Sequence, residues 1–228
     1  MKKINNPQKL QDYITRYQID EIFTLDMTQH MELFVFNKNE HIYQCSQAVD
    51  YLFFFVEGKA KVYMTLSHGK SLLLRFYKPF MVIGDVECVN SIKAAQSNVQ
   101  VIDQAYCVGV ALQKIRQYAF EDAKFLRFVC NSLGDKLNSL GKYSSINLLY
   151  PLENRLASYI LANLTPSSGT FIFDCNLSET SELLGTSYRH LLRTLGGLQI
   201  QKIIKKAKLH YELLDLYALK QLAGDLYE

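Results

Sequence analysis

The hydrophobic pattern of this chain changes period once, near residue 112, and that single change restricts the possible folds more than any other feature. From Leu33 to Leu112 the sequence is a series of short runs, LFVF, HIYQC, YLFFFVEG, KAKVYMTL, SLLLRFY, VQVI and YCVGVAL, separated by turn residues. Val62, Met64 and Leu66 alternate with Tyr63 and Thr65, the period of a half-buried strand. The segment Ser67-His68-Gly69-Lys70 reads as the turn of a β-hairpin, Gly69 supplying the positive φ that a tight reversal needs. Gly58 and Gly84 allow sharp bends between sheets. The expected product is an antiparallel roll or barrel of about eight strands.

Beyond Ala111, Gly and Pro vanish until after Asn131 and the apolar spacing becomes helical, which predicts one long helix. Leu126, Cys130, Leu133, Leu137, Leu140, Ser144 and Asn147 recur at alternating steps of four and three, the a/d spacing of a seam that wants a partner helix. The plainer alternative is a single helix lying against its own barrel, because Gly134 and Gly141 weaken the helix and the last two seam positions are polar. The same two glycines would also permit close approach of two helices. Pro151 stops or kinks the helix, and Leu152, Leu156, Tyr159, Ile160 and Leu164 restart an amphipathic one ending before Thr165-Pro166-Ser167-Ser168-Gly169.

Composition excludes several classes. With 49% hydrophobic and 21% charged residues in 228, the chain can bury a real core and is not a disordered segment. The longest apolar run, Tyr51–Val56, falls far short of the roughly 20 residues that cross a bilayer, and no signal sequence opens the chain, so a cytoplasmic protein without membrane partners is expected. Cys45, Cys88, Cys107, Cys130 and Cys175 form no C-x-x-C pair and read as reduced thiols filling the core. His30, His41, His68, His190 and His210 show no metal-ligand spacing, and no nucleophile elbow, P-loop or dinucleotide fingerprint occurs. A metal-dependent β-barrel enzyme is therefore a remote alternative, and neither metal nor cofactor is expected.

The most specific stretch is NLSETSELLGTSYRHLLRTLGGLQIQKII, residues 176–204. Ser178 reads as the N-cap of a short helix ending at Leu184, Gly185 permits a turn, and Ser187 caps a second helix running to about Leu198. Small Ser181 leaves room for close helix approach, while Leu183 or Leu184, Leu191, Leu195 and Leu198 supply the buried face. This is a helix-turn-helix pattern. Its second helix exposes Tyr188, Arg189, His190 and Arg193, side chains suited to base edges and phosphates. Between Leu183 and Tyr211 stand six basic residues, Arg189, Arg193, Lys202, Lys205, Lys206 and Lys208, and no acidic one. From Tyr150 onward the chain carries eight basic and eight acidic residues, so the net charge of +3 hides a local basic patch. A solvated basic face without a partner is the bland alternative. The segment IIKKAKLHYELL fits two short strands around a basic tip, a wing placed to touch phosphate. The candidate DNA contacts are thus Ser178, Thr186, Ser187, Tyr188, Arg189, His190, Arg193, Lys202, Lys205, Lys206 and Lys208.

Three stretches resemble the Crp/Fnr family of bacterial transcription regulators: residues 53–87 its cyclic-nucleotide-binding-type roll, LENRLASYILANL the first helix of its DNA-binding domain, and LSETSELLGTSYRHLLRTL its helix-turn-helix. The words GTSYRHLLRTL are most similar to its YeiL-like branch. The resemblance covers nearly the whole chain. It implies an α+β protein: an N-terminal antiparallel β-roll of the double-stranded β-helix kind with an N-terminal helical segment over 1–112, a connecting and dimerisation helix over 113–149, and a winged helix-turn-helix over 150–228. It further implies a homodimer, joined through Leu126, Cys130, Leu133, Leu137 and Leu140, that binds a pseudo-palindromic duplex with half-sites on the order of 34 Å apart. RNA polymerase becomes a partner if the protein activates transcription.

The sequence also departs from that family. Where nucleotide-binding members carry Gly-Glu-Leu followed by an Arg-Ser or Arg-Thr pair, this chain has Gly84-Asp85-Val86-Glu87, and the Arg position falls near Ala95, with Gln96 after it. Gly84, Asp85, Val86, Glu87 and Gln96 remain the candidate effector pocket, but a cyclic phosphate loses its bidentate partner, and Lys93 is too loosely placed to replace it. A cyclic-nucleotide-responsive regulator is therefore the alternative, and one with an unassigned effector, or with none, the expectation. No clustered N-terminal cysteines suggest an iron–sulfur centre. On the recognition helix the family's Arg-Glu pair is replaced by Tyr188-Arg189, which changes the preferred base.

Overall fold

The structure, a computed structural model, describes residues 1–65, 71–90, 94–167, 169–224 and 226, and of Tyr143, Ser144 and Asn147 only the backbone. Leu66, the turn residues Ser67 to Lys70, Lys93 and the side chains of seam positions Ser144 and Asn147 lie outside the described residues. By packing, the chain divides into two compact units, Met1–Met64 with Phe76–Ser139, and Thr65–Arg75 with Leu140–Glu228.

In chain order the elements up to the long helix are β1 (Lys2–Ile4), α1 (Pro7–Tyr17), two single 3-10 turns (Asp20–Ile22 and Thr28–His30), β2 (Met31–Phe36), β3 (His41–Tyr43), β4 (Tyr51–Glu57), β5 (Ala60–Thr65), β6 (Ser71–Tyr77), β7 (Met81–Ile83), α2 (Asp85–Val89), β8 (Asn98–Val101), β9 (Ala105–Ala111), α3 (Leu112–Tyr118) and α4 (Ala123–Leu149). The strands form two sheets, ordered β1-β2-β9-β4-β7 and β3-β8-β5-β6, the antiparallel roll that the strand-period runs lead one to expect. The three-residue strands β1 and β7 are additions that no alternating run signalled.

Strand β4 explains why YLFFFV does not alternate. Leu52 to Val56 are all buried, because both faces of the strand are covered. On one side Phe53 meets the rings of Phe34, Phe36, Tyr43 and Tyr51. On the other, Phe54 meets Phe23 and Phe80, and also Phe128 from α4.

The single long helix expected after Ala111 is in fact two. Helix α3 stops at Tyr118, and α4 begins anew at Ala123 because Asp122 takes hydrogen bonds from the Thr24 amide (2.6 Å), the Thr24 hydroxyl (2.7 Å) and the Lys124 amide (2.9 Å). An aspartate that caps a helix and ties its start to a distant loop leaves no periodic trace. Helix α4 packs on the roll through Phe125 and Val129, 0% and 1% exposed, with Phe125 stacked on Phe23. That stripe lies one residue away from the seam. Of the seam residues, Leu126 and Leu133 are half-buried, Cys130 is exposed, and Leu137 and Leu140 stand 70% and 44% exposed. One face of the helix thus lies on its own barrel, as the plainer alternative had it, and the seam residues fall on another face.

The remaining elements are α5 (Leu152–Ala162), β10 (Thr165–Ser167), β11 (Thr170–Phe173), α6 (Leu177–Leu183), α7 (Tyr188–Ile200), β12 (Ile204–Lys206), β13 (Tyr211–Leu213) and α8 (Leu216–Ala223). Strands β10, β11, β13 and β12 form one antiparallel sheet in that order. The residues after Leu164, read as a plain break, therefore supply an additional hairpin. Leu156, Ile160, Phe173, Leu184, Leu191, Leu198 and Leu219 build the core of this part, and the Asn154 amide ties α5 to the Leu222 carbonyl at the end of α8 (3.0 Å). No helix among the described residues is long and apolar enough to cross a membrane.

The cysteines divide by environment. All five are free thiols, but only Cys88 and Cys107 fill the core; Cys45 and Cys175 are half-buried, and Cys130 is exposed, against the expectation of five core thiols. The physical reason is the α4 geometry: position 130 lies on the seam side, away from the roll. Burial pushes the Cys88 thiol up to about 11 and Cys107 well above its ordinary range, which suppresses the thiolate. Titration of the native protein with a thiol-reactive disulfide at pH 8 should leave Cys88 and Cys107 unmodified until denaturant is added, as checked by mass mapping.

Candidate nucleic-acid interface

Helices α6 and α7 form the two-helix motif, and local polar groups set its geometry. The N-cap of α6 is Asn176, not Ser178: the Asn176 side chain accepts from the amides of Ser178 (3.0 Å) and Glu179 (3.3 Å). Both residues are good caps by type, so only the backbone path separates them. Ser178 instead offers its carbonyl to the hydroxyl of Ser181 (2.8 Å), which is buried against its surroundings as the small residue was expected to be. Gly185 adopts φ +60°, the left-handed conformation that ends α6, and its amide donates to Glu182 O (2.9 Å).

Arg155 on α5 holds this turn from below, donating to the Leu184 carbonyl (2.7 Å) and to the Tyr150 carbonyl (3.2 Å). It is a positioning residue that no motif signalled, because the contact joins residues 29 apart. Ser187 caps α7 as read, accepting from the His190 amide (3.2 Å).

On α7, Leu191, Leu195 and Leu198 are buried to 1% exposure or less, which turns the opposite surface outward. Tyr188, Arg189, His190 and Arg193 are all exposed there, with Arg189 and Arg193 one turn apart on one face. The His190 ring is held by Thr186, whose hydroxyl lies 3.3 Å from Nδ1. Leu192, 40% exposed beside these residues, escaped notice because it reads as another core leucine. An apolar side chain there suits a thymine methyl.

The lysines do not all join this cluster. Lys202 follows the C-terminal end of α7 in a left-handed conformation (φ +57°). At about 1.5 Å rise per residue it stands roughly 20 Å from Arg189. Lys205 and Lys206 are exposed on β12, and Lys208 lies in the wing turn closed by the Ala207 amide on His210 O (2.8 Å). Strand pairing sets Glu212 opposite Lys205, and His210 lies 4.0 Å from the same carboxylate. The acid-free stretch of sequence is therefore not acid-free in space.

The second candidate site lies in the roll. Gly84 has φ +95°, and a Cβ there would collide with the Tyr43 hydroxyl. Asp85 follows, fully buried, and both of its oxygens are taken. Oδ2 accepts from the Ser132 hydroxyl (2.8 Å); Oδ1 accepts from the Lys136 ammonium and from the Val86 amide (3.0 Å). Lys136 also donates to Val82 O (3.0 Å). Glu87, 6% exposed, accepts from the Gln96 amide (3.3 Å). Gln96 contributes only backbone to this group; its side chain is exposed and bonds Ala94 O (3.2 Å), while Val86 is half-buried. Burial, and then the nearby Glu87 and Asp85 carboxylates, hold the Tyr43 hydroxyl well above its ordinary range, so it stays protonated. Ser132 and Lys136 are missed contributors, again because the partners are some fifty residues away along the chain.

Residues 33–122 match the family described as the cyclic nucleotide-binding domain. The fold is similar to that of a Crp-family transcriptional regulator from Thermus thermophilus (TM-score 0.68, 21% identity, 86% of this chain and 98% of that one). It is similar too to the c-di-GMP-responsive regulator CLP of Xanthomonas campestris (TM-score 0.64, 12% identity, 82% and 95% covered). In sequence, the chain is 30% identical over 209 residues to the regulatory protein YeiL of Escherichia coli O157:H7, 90% of each chain being covered. The chain belongs to the Crp/Fnr family of transcription regulators. As a Crp/Fnr member it is a DNA-binding regulator with an N-terminal cyclic-nucleotide-binding-type roll.

Capping of α6 by Asn176 has a measurable consequence for this Crp/Fnr regulator. Asn176→Ala should cost about 1 kcal/mol of stability in urea unfolding, whereas Ser178→Ala, which keeps the backbone carbonyl that Ser181 uses, should cost well under half as much.

Proposed function

We propose that the protein is a homodimeric, sequence-specific transcription regulator of the bacterial cytoplasm, without enzymatic activity, that reads a pseudo-palindromic operator through the first two turns of α7. The observation that carries this reading is the pairing of Arg189 and Arg193 on the exposed face of a helix whose opposite face is anchored by Leu191, Leu195 and Leu198. Arg189 and Arg193 address base edges, with Tyr188, His190 and Leu192 beside them. Thr186 and Ser187 present the helix N-terminus to a phosphate, and Ser178 offers its hydroxyl at the start of α6. Lys205, Lys206 and Lys208 in the wing, and Lys202 at the far end of α7, contribute backbone charge.

Dimerisation uses the outer face of α4. Along Leu126, Cys130, Leu133, Leu137 and Leu140, Leu126 and Leu133 are half-buried and Cys130, Leu137 and Leu140 exposed, and pairing with a second copy removes that stripe from water. The domain division proposed is roll 1–112, connecting and dimerisation segment 113–149, and winged DNA-binding domain 150–228. RNA polymerase is a further partner if the protein activates.

The roll favours a regulator that needs no cyclic nucleotide. The position where an arginine would grip the phosphate falls at buried Ala95, and the Gly84–Glu87 stretch already spends its carboxylates on neighbours within the chain.

Selection of bound sequences from random duplexes, with and without a small-molecule extract, tests the reading directly; a purified protein that enriches no sequence under either condition would overturn it. On the selected operator, Arg189→Ala and Arg193→Ala should each cost about 1 to 3 kcal/mol and relax the preference at one base pair. Lys206→Ala should weaken all sequences alike. Leu133→Asp combined with Leu137→Asp should sediment as a monomer; a persistent dimer would refute the interface.

A further inference from the structure

The roll contains a group of charges that its core does not require. Asp85 is 0% exposed and its partner Lys136 only 13%, so two full charges have been taken out of water to meet each other. The third member, Ser132, sits one turn before Lys136 on the same helix and satisfies the other carboxylate oxygen (2.8 Å). Two consecutive turns of α4 are thereby fixed to the start of α2. The Lys136 ammonium also lies 5.9 Å from the centre of the Tyr77 ring and donates to Val82 O (3.0 Å), so it is held on several sides.

These contacts fall on a special part of the helix. Phe125 and Val129 pack on the roll, and Ser132 and Lys136 continue the same face where the apolar contacts give out. Leu133 and Leu137, each one residue further on, belong to the outer face. A helix turns by about 100° per residue, so any rotation that frees Lys136 from Asp85 also swings Leu133 and Leu137 away from their present direction. The polar group therefore sets the direction in which the dimer face points, through the stretch where packing alone no longer does. From there α4 continues without interruption to Leu149.

We propose that Asp85, Ser132 and Lys136 form a built-in fastening that takes the place of an effector, locking α4 on its own roll in the orientation that the DNA-competent dimer needs. The inference rests on the DNA-binding reading above. It follows that no ligand is required for operator binding. The cation that the described residues place at Asp85, Lys136, is already committed, and a ligand that does enter has to break the fastening and so releases α4.

Fluorescence anisotropy on the operator selected by the wild-type protein tests this, with sedimentation for the dimer and thermal unfolding for stability. Lys136→Met leaves a buried carboxylate without its cation and should lower both the melting temperature and operator affinity, the latter at least tenfold. The double variant Asp85→Asn/Lys136→Met removes the unpaired charge. It should recover most of the melting temperature while operator affinity stays at least fivefold below wild type. Ser132→Ala, a milder change that keeps the fold, should weaken the operator about threefold. Cyclic AMP at millimolar concentration should leave wild-type affinity unchanged. The proposal is overturned if the double variant or Ser132→Ala binds as tightly as wild type, since the cluster would then serve stability alone, or if cyclic AMP strengthens wild-type binding tenfold. A wild-type protein that binds no operator would instead remove the reading underneath.

Discussion

Helix α4 has two sides to satisfy, and the rest of the architecture follows from how each is met. Its inner stripe, Phe125, Phe128 and Val129, closes the outer face of the aromatic strand β4 through Phe23, Phe54 and Phe80. Without that cover, the continuous apolar run of β4 would be exposed on one side of the roll, because adjacent residues in a strand point to opposite faces. Its outer stripe, from Leu126 to Leu140, is only partly covered by the described residues, Leu137 and Leu140 standing 70% and 44% exposed. Crp/Fnr regulators act as dimers, and a two-fold pairing of this stripe is the arrangement proposed to cover it.

Polar groups then do what apolar packing does poorly, which is to choose one arrangement among several of similar burial. A buried ion pair is a weak source of net stability, since desolvation offsets most of the attraction, yet breaking one by removing a single partner typically costs about 3–5 kcal/mol. Asp85 and Lys136 have that character. The same logic operates in the winged domain at lower cost: Arg155 fixes the turn through the Leu184 carbonyl, Asn176 starts α6, and Ser187 starts α7. Each of these groups aims a helix, and the exposed side chains of Tyr188, Arg189 and Arg193 depend on that aim.

The fold is shared with a Crp-family regulator of Thermus thermophilus and with the c-di-GMP-responsive regulator CLP. In this chain the polar groups of the roll bond within the chain: Asp85 with Ser132 and Lys136, Glu87 with the Gln96 backbone amide, and the Tyr43 ring lies against the Gly84 bend.

Period and residue type alone determined the order of parts: strands until 111, helix beyond, a two-helix motif around Gly185 and a basic wing after it. Those features are local, since the alternation of a strand, the left-handed turn at a glycine and the seam spacing on α4 all arise within a few residues. Even the leucines of the α7 core were legible, because a helix repeats its buried face every three to four positions. What only the tertiary structure decided are the contacts between residues far apart in the chain. The restart of α4 at Asp122 depends on Thr24, the turn of the motif on Arg155, the charge of the wing on Glu212 folding back beside Lys205, and the pairing of the buried Asp85 on Ser132 and Lys136. None of these leaves a periodic mark, because a hydrogen bond or ion pair constrains the distance between two atoms and not the spacing of their residues along the chain.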